Sequence, residues 1–277
     1  MRQKYGQNFL TDNNIAHSIV NIADLKKNDR ILEIGPGKGI LTKIIQPRVK
    51  WLTAVEIDTK LYRQLSYYFS FLNIKNIKII NKDFLKYDLM SMNSNTIVKN
   101  FNLNNNFKVI SNLPYTIGTA IIQKILPSKN WTTSIFMLQK EVAQRITAQP
   151  YSKNYGYISI FASYYATCEI LFDVSPKCFN PSPKVISSIV KLTNKKAKHP
   201  ESIFFNFIKH VFNMRRKIIS NGLSSFENLE KKHAINILKS CGLNPFLRPD
   251  NLSILDFMNL TKEIQRYRIC RAQNLFF

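Results

Sequence analysis

Arg30-Ile31-Leu32-Glu33-Ile34-Gly35-Pro36-Gly37-Lys38-Gly39 is the stretch of this sequence that decides the fold. It reads as a short apolar strand that runs into a G-x-G-x-G turn, with a helix predicted to begin near Ile40. Glycines in such a turn remove the side chains that would keep a ligand away from the backbone. The dinucleotide fingerprint has its third glycine one residue later, at Ile40, which disfavours NAD. The stretch therefore predicts a ligand site of another kind within an α/β fold.

Outward from this turn, apolar β-rich runs alternate with longer amphipathic stretches. That alternation predicts strand–helix repeats and a mostly parallel sheet. The predicted strands are Arg30–Ile34, Trp51–Glu56, Ile77–Ile80, Lys108–Ser111 and Ser134–Leu138, followed by a late strand in Val185–Leu192.

The last third of the chain has a different pattern. Thr193–Pro200 is polar, basic and ends in proline, which is typical of a linker. Beyond it, apolar residues recur at helical spacing, and helices are predicted around Phe204–Val211, Glu227–Ser240 and Leu255–Tyr267. We therefore predict an α/β domain over residues 1–194 and an all-helical domain over residues 195–277.

The composition gives the chain a large positive charge. Its 40 lysines and arginines stand against 17 aspartates and glutamates, for a net charge of +23. Such an excess attracts polyanions by displacing their condensed counterions, and nucleic acid is the natural partner. The alternative is that the abundant Lys, Asn and Ile reflect an AT-rich genome.

Several other classes of protein receive no support from the sequence. The 4 cysteines and 4 histidines show no C-x-x-C or H-x-x-x-H spacing, so neither a metal site nor a redox dithiol is predicted. The start of the chain lacks the apolar core of a signal peptide, and no stretch reaches the roughly 18 apolar residues of a membrane span. We expect a reduced, cytoplasmic protein without a membrane partner, and a monomer by default.

Two acidic residues follow the next two predicted strands. Glu56 ends the second strand, where a carboxylate suits both hydroxyls of a ribose, and Asp83 follows the third, where it suits an adenine amine. Each alone is as well explained as a solvated charge or a helix cap. Together with Gly35 and Gly37 they predict S-adenosylmethionine, since this cofactor has no pyrophosphate and its methionyl part tolerates the altered glycine spacing.

The fourth predicted strand ends in Asn112-Leu113-Pro114-Tyr115. Proline has no N–H and holds the preceding residue extended, so this loop presents acceptors, which suit an amine. We predict that the Asn112 side-chain oxygen and a carbonyl near Leu113–Pro114 accept both N–H bonds of an adenine N6, and that Asn112 also contacts the cofactor. A base in a duplex must be flipped out to reach such a pocket, and Tyr115 and Phe179 are the candidate stacking rings. An ordinary turn, and core packing for Phe179, are the alternatives.

Seven segments together resemble the ribosomal RNA adenine dimethyltransferase family, in its bacterial small-subunit branch linked to kasugamycin sensitivity. They are Tyr5–Leu10, Glu33–Thr42, Val55–Asp58, Asn112–Tyr115, Leu138–Ala143, Pro181–Val185 and Arg215–Lys217. The resemblance implies a Rossmann-like class I S-adenosylmethionine-dependent methyltransferase domain followed by a small helical domain. It also implies that the Gln-Asn-Phe-Leu segment closes over the cofactor, which assigns cofactor contacts to Asn8 and Leu10.

The substrate that this resemblance implies is specific. It is a pair of adjacent adenosines in a hairpin near the 3′ end of 16S rRNA, each dimethylated on a pre-30S particle during small-subunit biogenesis. Relatives that methylate large-subunit rRNA share the cofactor motifs, but Asn112–Tyr115 and Leu138–Ala143 resemble the small-subunit branch. Thr116–Thr119 departs from the Asn-Ile-Ser that often follows the tyrosine in that branch.

Two further points remain open at the level of sequence. Arg215–Lys217 and the group Arg266, Arg268 and Arg271 are either grips for RNA phosphates or solvated helix faces. A DNA adenine methyltransferase needs the same amine chemistry, although no DNA-recognition insert is visible. A non-catalytic RNA-binding assembly factor is the alternative from a different class.

Overall fold

The computed structural model describes residues 7–272 apart from residues 88, 90–105, 129, 198–199 and 201. The chain divides into two compact units. The first comprises Met1–Gln144 and Tyr165–Lys196, and the second Arg145–Tyr164 and Ala197–Phe277.

The predicted domain range 1–194 therefore includes one segment, Arg145–Tyr164, that packs with the second unit. Tyr155 and Ile160 of this segment lie in the apolar core of the helical unit. The Tyr155 hydroxyl also donates a hydrogen bond of 3.0 Å to the Leu252 carbonyl. The predicted linker Thr193–Pro200 spans Lys196/Ala197, where the chain passes from the first unit into the second.

The first unit is built on a seven-stranded sheet. Its strands are β2 (Arg30–Ile34), β3 (Trp51–Glu56), β4 (Ile77–Asn81), β5 (Phe107–Asn112), β6 (Trp131–Gln139), β7 (Ala166–Val174) and β9 (Ser187–Asn194). Their order in the sheet is β4-β3-β2-β5-β6-β9-β7. Strands β2 to β6 are parallel, whereas β9 runs antiparallel to β6 and β7 antiparallel to β9. All six predicted strands are present, and the predicted β2 and β3 have the observed bounds.

Three strands were not predicted. They are β7 and two strands of two residues each, β1 (Phe9–Leu10) and β8 (Phe179–Asn180), which pair antiparallel with each other. This small pair attaches the N-terminal segment to the loop before β9. The Thr11 N–H extends the pairing by donating to the Cys178 carbonyl at 2.8 Å.

Three helices connect parallel strands: α2 (Ile40–Ile45), α3 (Thr59–Phe71) and α4 (Gly118–Ile125). Helix α1 (Asn13–Ile22) precedes β2, and α5 (Lys140–Ile146) and α6 (Tyr157–Tyr165) lie between β6 and β7, with most of α6 in the second unit. Asp12 and Asp58 cap α1 and α3, because each carboxylate accepts two backbone N–H bonds of the first turn. On α3, Leu61, Leu65 and Phe69 recur every four residues and form its buried face.

The second unit contains the helices α7 (Ser202–Asn213), α8 (Ile219–Glu227), α9 (Lys231–Ser240) and α10 (Ile254–Ala272). Its described residues beyond 201 include no strand, as predicted. The predicted helix Glu227–Ser240 covers α9 and the turn before it, and α8 was not predicted. Phe207 and Phe257 are fully buried in the apolar core of this second unit. Within the described part of the chain, no helix has the length and apolarity needed to cross a bilayer.

The strand order fixes where a ligand site forms. From β2 the chain proceeds outward through β3 and β4 and then returns to the other side of β2 with β5. This reversal between β2 and β5 is a topological switch point, and open α/β sheets bind ligands in the crevice at the carboxyl ends of such strands. The glycine turn follows β2 and the Asn112 loop follows β5, so the topology brings them together.

Candidate active site

A cavity of about 520 Å³ opens at the carboxyl ends of these strands. This volume is typical of a small-molecule site. Ten of the eleven residues predicted from the sequence line it: Asn8, Leu10, Gly35, Gly37, Glu56, Asp83, Asn112, Leu113, Pro114 and Tyr115. The cavity lining thus joins segments that are more than a hundred residues apart in the sequence.

The glycine turn lies between the N-terminal segment and the Asn112 loop in the lining of the cavity. Gly35 and Gly37 have φ angles of +65° and +59°, which side chains rarely adopt. A Cβ atom on Gly37 would lie 3.1 Å from the Phe9 ring, and one on Gly35 would lie 3.9 Å from Cδ of Pro114. The turn is therefore in close contact with the N-terminal segment and adjacent to the Asn112 loop. This is the proximity that methyl transfer to an amine held by that loop requires.

Glu56 is almost completely buried, with 2% of its surface exposed. Its Oε2 accepts the Gly37 N–H at 3.0 Å and its Oε1 accepts the Asp58 N–H at 2.8 Å. Burial raises the pKa of this carboxyl, and these two hydrogen bonds oppose the increase. The carboxylate is thus held rigidly at the end of β3, facing the cavity.

Asp83 follows β4 and has two roles open to it. Its Oδ1 accepts the Leu85 N–H at 2.9 Å and so caps the short helical turn Phe84–Lys86. The same half-buried residue also lines the cavity. The cap fixes the carboxylate at the rim and leaves a second carboxylate oxygen.

Glu33 lines the cavity and was not singled out from the sequence as a site residue. It is only 1% exposed, and its Oε2 has no hydrogen-bond partner. Burial raises the pKa of Glu33 to about 8, hydrogen bonding with Thr42 opposes the increase, and the neighbouring Glu56 carboxylate adds to it. The available signal was a carboxylate in the middle of the apolar strand β2, because acidic side chains are almost never fully buried without a partner.

Asn112 has its amide orientation set by the N-terminal segment. Its Nδ2 donates to the Asn8 carbonyl at 3.3 Å, which leaves Oδ1 as the acceptor. In the same loop the Leu113 N–H donates to the Met137 carbonyl at 3.2 Å, and the Pro114 carbonyl accepts the Ile117 N–H at 3.2 Å. The loop is therefore anchored to β6 and to its own following turn.

Tyr115 is held by a hydrogen bond to a distant strand. Its hydroxyl lies 2.7 Å from the Ser187 Oγ at the start of β9. Burial raises the pKa of Tyr115, and the bond to Ser187 opposes this. The ring is half-buried and lines the cavity.

Phe179 is the one predicted site residue that does not line the cavity in this structure. It is 4% exposed, is paired with Leu10 in the β1–β8 ladder and packs in the apolar core. The alternative of core packing describes this geometry, and Phe179 pairs with the strand Phe9–Leu10 that directly follows Asn8. Its prediction as a stacking ring stays a prediction.

The predicted basic clusters are partly engaged in internal ion pairs. Arg215 lies 3.2 Å from the Asp250 carboxylate, Arg266 lies 3.3 Å from Glu263, and Arg268 forms two bonds of 2.8 and 2.9 Å to Glu227. Arg216, Lys217 and Arg271 are exposed. For Arg215 and Arg268 the structure therefore supplies a structural role.

The lining chemistry fits S-adenosylmethionine. This ligand carries an ammonium, a ribose and an adenine amine, and the cavity offers the carboxylates Glu33, Glu56 and Asp83. Glu33 also has the unpartnered buried oxygen that a bound donor would satisfy. Gly35 and Gly37 line the cavity and carry no side chain that would keep a ligand from the backbone. When bound, the cofactor supplies an electrophilic methyl group on a sulfonium.

Fold and cavity together define the class: a Rossmann-like methyltransferase that uses S-adenosylmethionine. More specifically, the chain belongs to the ribosomal RNA adenine dimethylase family, whose sequence pattern matches residues 1–266. The predictions of family, fold class and cofactor are confirmed.

Relatives with curated names support the assignment to this family. A ribosomal RNA small subunit methyltransferase A from Blochmanniella floridana is 40% identical over 267 residues, which cover 94% of this chain and 93% of that protein. One from Clostridium botulinum (strain Loch Maree / Type A3) is 37% identical over 261 residues, 92% and 91% of the two chains.

Two solved structures share the fold. The dimethyladenosine transferase from Plasmodium falciparum superposes with a TM-score of 0.78 at 23% identity, over 93% of this chain and 98% of that one. The 23S rRNA methyltransferase ErmE gives 0.68 at 22% identity, over 93% and 100%.

Proposed function

We propose that this enzyme dimethylates N6 of two adjacent adenosines in the hairpin near the 3′ end of 16S rRNA, on the pre-30S particle, in the cytoplasm and as a monomer. The observation that carries the adenine chemistry is that the Asn112 loop and the glycine turn lie next to each other in the lining of one cavity. The small-subunit target is supported by relatives that are named ribosomal RNA small subunit methyltransferase A.

Each part of the cavity then has a role in binding. Glu56 accepts from the ribose hydroxyls and Asp83 from the adenine amine of the cofactor. The Asn8–Leu10 segment closes over it, while Gly35 and Gly37 admit its methionyl part. Glu33 is the further carboxylate that suits the ammonium group.

The target amine is held by acceptors. Adenine N6 is a weak nucleophile because its lone pair is delocalised into the ring. Asn112 Oδ1 and the Leu113 carbonyl accept its two N–H bonds, since the Pro114 carbonyl already accepts from Ile117. This favours a pyramidal nitrogen that faces the methyl group. Tyr115 stacks on the flipped base, and the methylated nitrogen releases its proton to solvent, so no strong general base is required.

Methyl transfer to defined substrates tests the proposal. Radiolabelled methyl groups are expected on immature small subunits, with two on each of two adjacent adenosines. Mature subunits and naked DNA serve as controls. Preferential labelling of DNA would establish a DNA methyltransferase instead, and binding without transfer would establish a non-catalytic assembly factor.

The two halves of the site are separable by mutation. Asn112→Ala is expected to retain cofactor affinity and to lose about a hundredfold or more of transfer, because it removes an interaction with the reacting amine. Glu56→Ala is expected to weaken cofactor binding first, because it removes a ribose acceptor. Calorimetry with S-adenosylhomocysteine, alongside transfer rates, measures both. Equal loss of cofactor affinity in the two variants contradicts this division of roles.

A further inference from the structure

The outer face of α3 carries large exposed aromatic rings. Tyr67 is 73% exposed and Phe71 is 76% exposed, and their rings stack with centroids 6.2 Å apart. Tyr68 and Leu72, at 39% and 47%, extend this apolar surface. Neighbouring exposed rings of this size on a soluble protein mark an interaction site.

Positive charge accompanies these rings. Lys60, Arg63, Tyr67 and Phe71 follow helical spacing and are all exposed, so they form one stripe, which we call the α3 track. The helix contains no aspartate or glutamate. Beside the track, the Lys43 ammonium lies 4.4 Å from the centroid of the Tyr68 ring.

The α3 track begins at the active-site cavity. Glu56 and Ile57 line the cavity, and Asp58 caps the helix that follows directly. Over its 13 residues α3 extends roughly 20 Å from that rim, at 1.5 Å per residue. A strand that leaves the cavity on this side therefore meets Lys60 first, then Arg63, and then the two rings.

We propose that the α3 track binds an unpaired segment of the RNA substrate, with bases stacked on Tyr67 and Phe71 and phosphates held by Lys60 and Arg63. Aromatic rings interleaved with cations are the chemistry that binds single strands without sequence preference. A second copy of this chain fits less well, because each copy carries a net charge of +23. The inference rests on the proposed function for its RNA substrate and assigns a contact outside the catalytic cavity.

Binding of a labelled oligouridylate of about 12 nucleotides tests the track. Uridine is used because it lacks the adenine that the cavity recognises. The Tyr67→Ala/Phe71→Ala variant is expected to bind at least about tenfold more weakly by fluorescence anisotropy. Arg63→Gln is expected to reduce the slope of log affinity against log salt by about 0.7. Phe246→Ala, which removes a ring that is 67% exposed in the helical unit, is the matched control and is expected to bind like wild type.

Photocrosslinking locates the contact directly. With 5-iodouridine in the same oligonucleotide, mass spectrometry is expected to find the crosslink on the peptide that contains Tyr67 and Phe71. Unchanged affinity of the double variant, or crosslinks confined to the helical unit, overturns the proposal. A wild-type dimer that the double variant converts to monomer, by sedimentation, also overturns it, because a second copy would then cover the track.

The proposed function fails in a different way. In that case wild type transfers no methyl group to immature small subunits, whatever its affinity for oligouridylate. The track fails when wild type transfers methyl groups and the double variant binds oligouridylate equally well.

Discussion

Three carboxyl groups line the cavity, and their surroundings give them different properties. Glu56 accepts two backbone N–H bonds and Asp83 accepts one, whereas one oxygen of Glu33 has no partner. Hydrogen bonds to a carboxylate favour its charged form, and burial favours the neutral form, which at Glu33 outweighs the opposing effect of Thr42. The cavity thus combines carboxylates anchored by the backbone with one carboxyl whose protonation responds to what binds beside it.

Ser187 positions the Tyr115 ring, because its hydroxyl is the hydrogen-bond partner of the tyrosine at 2.7 Å. Ser187→Ala is expected to lower methyl transfer about two- to tenfold, which corresponds to the loss of one hydrogen bond. Cofactor affinity is expected to stay unchanged, since Ser187 does not line the cavity. Tyr115→Phe is expected to have the same effect, and combining the two changes should add nothing further.

Ser188→Ala is the control for that experiment. Ser188 neighbours Ser187 on β9, but its hydroxyl donates to Asp173 at 2.6 Å. This variant is expected to transfer methyl groups like wild type. If Ser187→Ala and Ser188→Ala reduce transfer equally, the effect belongs to the packing of β9 rather than to Tyr115.

At the residue scale, the sequence predicts side chains at the ends of strands better than contacts between distant segments. Glu56 and Asn112 follow apolar runs directly, so parallel pairing alone brings them to one edge. The Tyr115–Ser187 bond joins residues 72 positions apart and depends on the antiparallel return of β9. Phe179 is buried by the pairing of β1 with β8, and no local sequence pattern predicts that pairing.

Helix α3 packs closely against the last glycine of the turn, Gly39. A Cβ atom on Gly39 would lie 2.4 Å from Cδ2 of Leu65, and Gly39 has a φ angle of +82°. Gly39→Ala is expected to lower the free energy of unfolding by more than the roughly 1–2 kcal/mol of a left-handed alanine. Urea denaturation measures the change.

Gly242→Ala is the matched control for Gly39→Ala. Gly242 has a φ angle of +71°, and no heavy atom lies within 4 Å of the position its Cβ would take. Its substitution carries the conformational cost alone, so the difference between the two variants isolates the contact with Leu65. Equal destabilisation of the two variants would show that the Leu65 side chain moves away from the new methyl group with no loss of folding free energy.

At the element scale, strand bounds were predicted best where burial was continuous. Strands β2 and β3 are buried along almost their whole length and are mostly apolar, with Glu33 and Thr53 as interruptions. By contrast, β7 has a mostly half-buried pattern and follows α6 without an intervening turn, so its start has no signal. Strands as short as β1 and β8 are specified by their pairing rather than by their composition.

At the scale of the whole molecule, the predicted boundary at 194/195 lies close to one place where the chain passes between the two compact units, and no boundary was predicted within 1–194. A basic, proline-ended stretch marks the crossing near residue 196, whereas α5 continues through the crossing at Gln144/Arg145 without a break. The sequence of Arg145–Tyr164 does not indicate which of the two apolar cores its apolar residues join. Contact between distant parts of the chain decides that assignment.

The pH dependence of global stability provides a test of the buried Glu33. Its pKa is about 8 in the folded protein against 4.5 for the ordinary carboxyl, so the folded state retains a proton that the unfolded state loses. This contribution is full below about pH 4.5 and is lost as the pH rises through 8, on the order of a few kcal/mol in total. Glu33→Gln keeps a neutral side chain of similar shape at every pH. The variant is therefore expected to gain stability relative to wild type between pH 5 and pH 9, as measured by urea denaturation at several pH values within roughly this range. Parallel stability curves for the two proteins would mean that Glu33 is charged in the folded state at neutral pH.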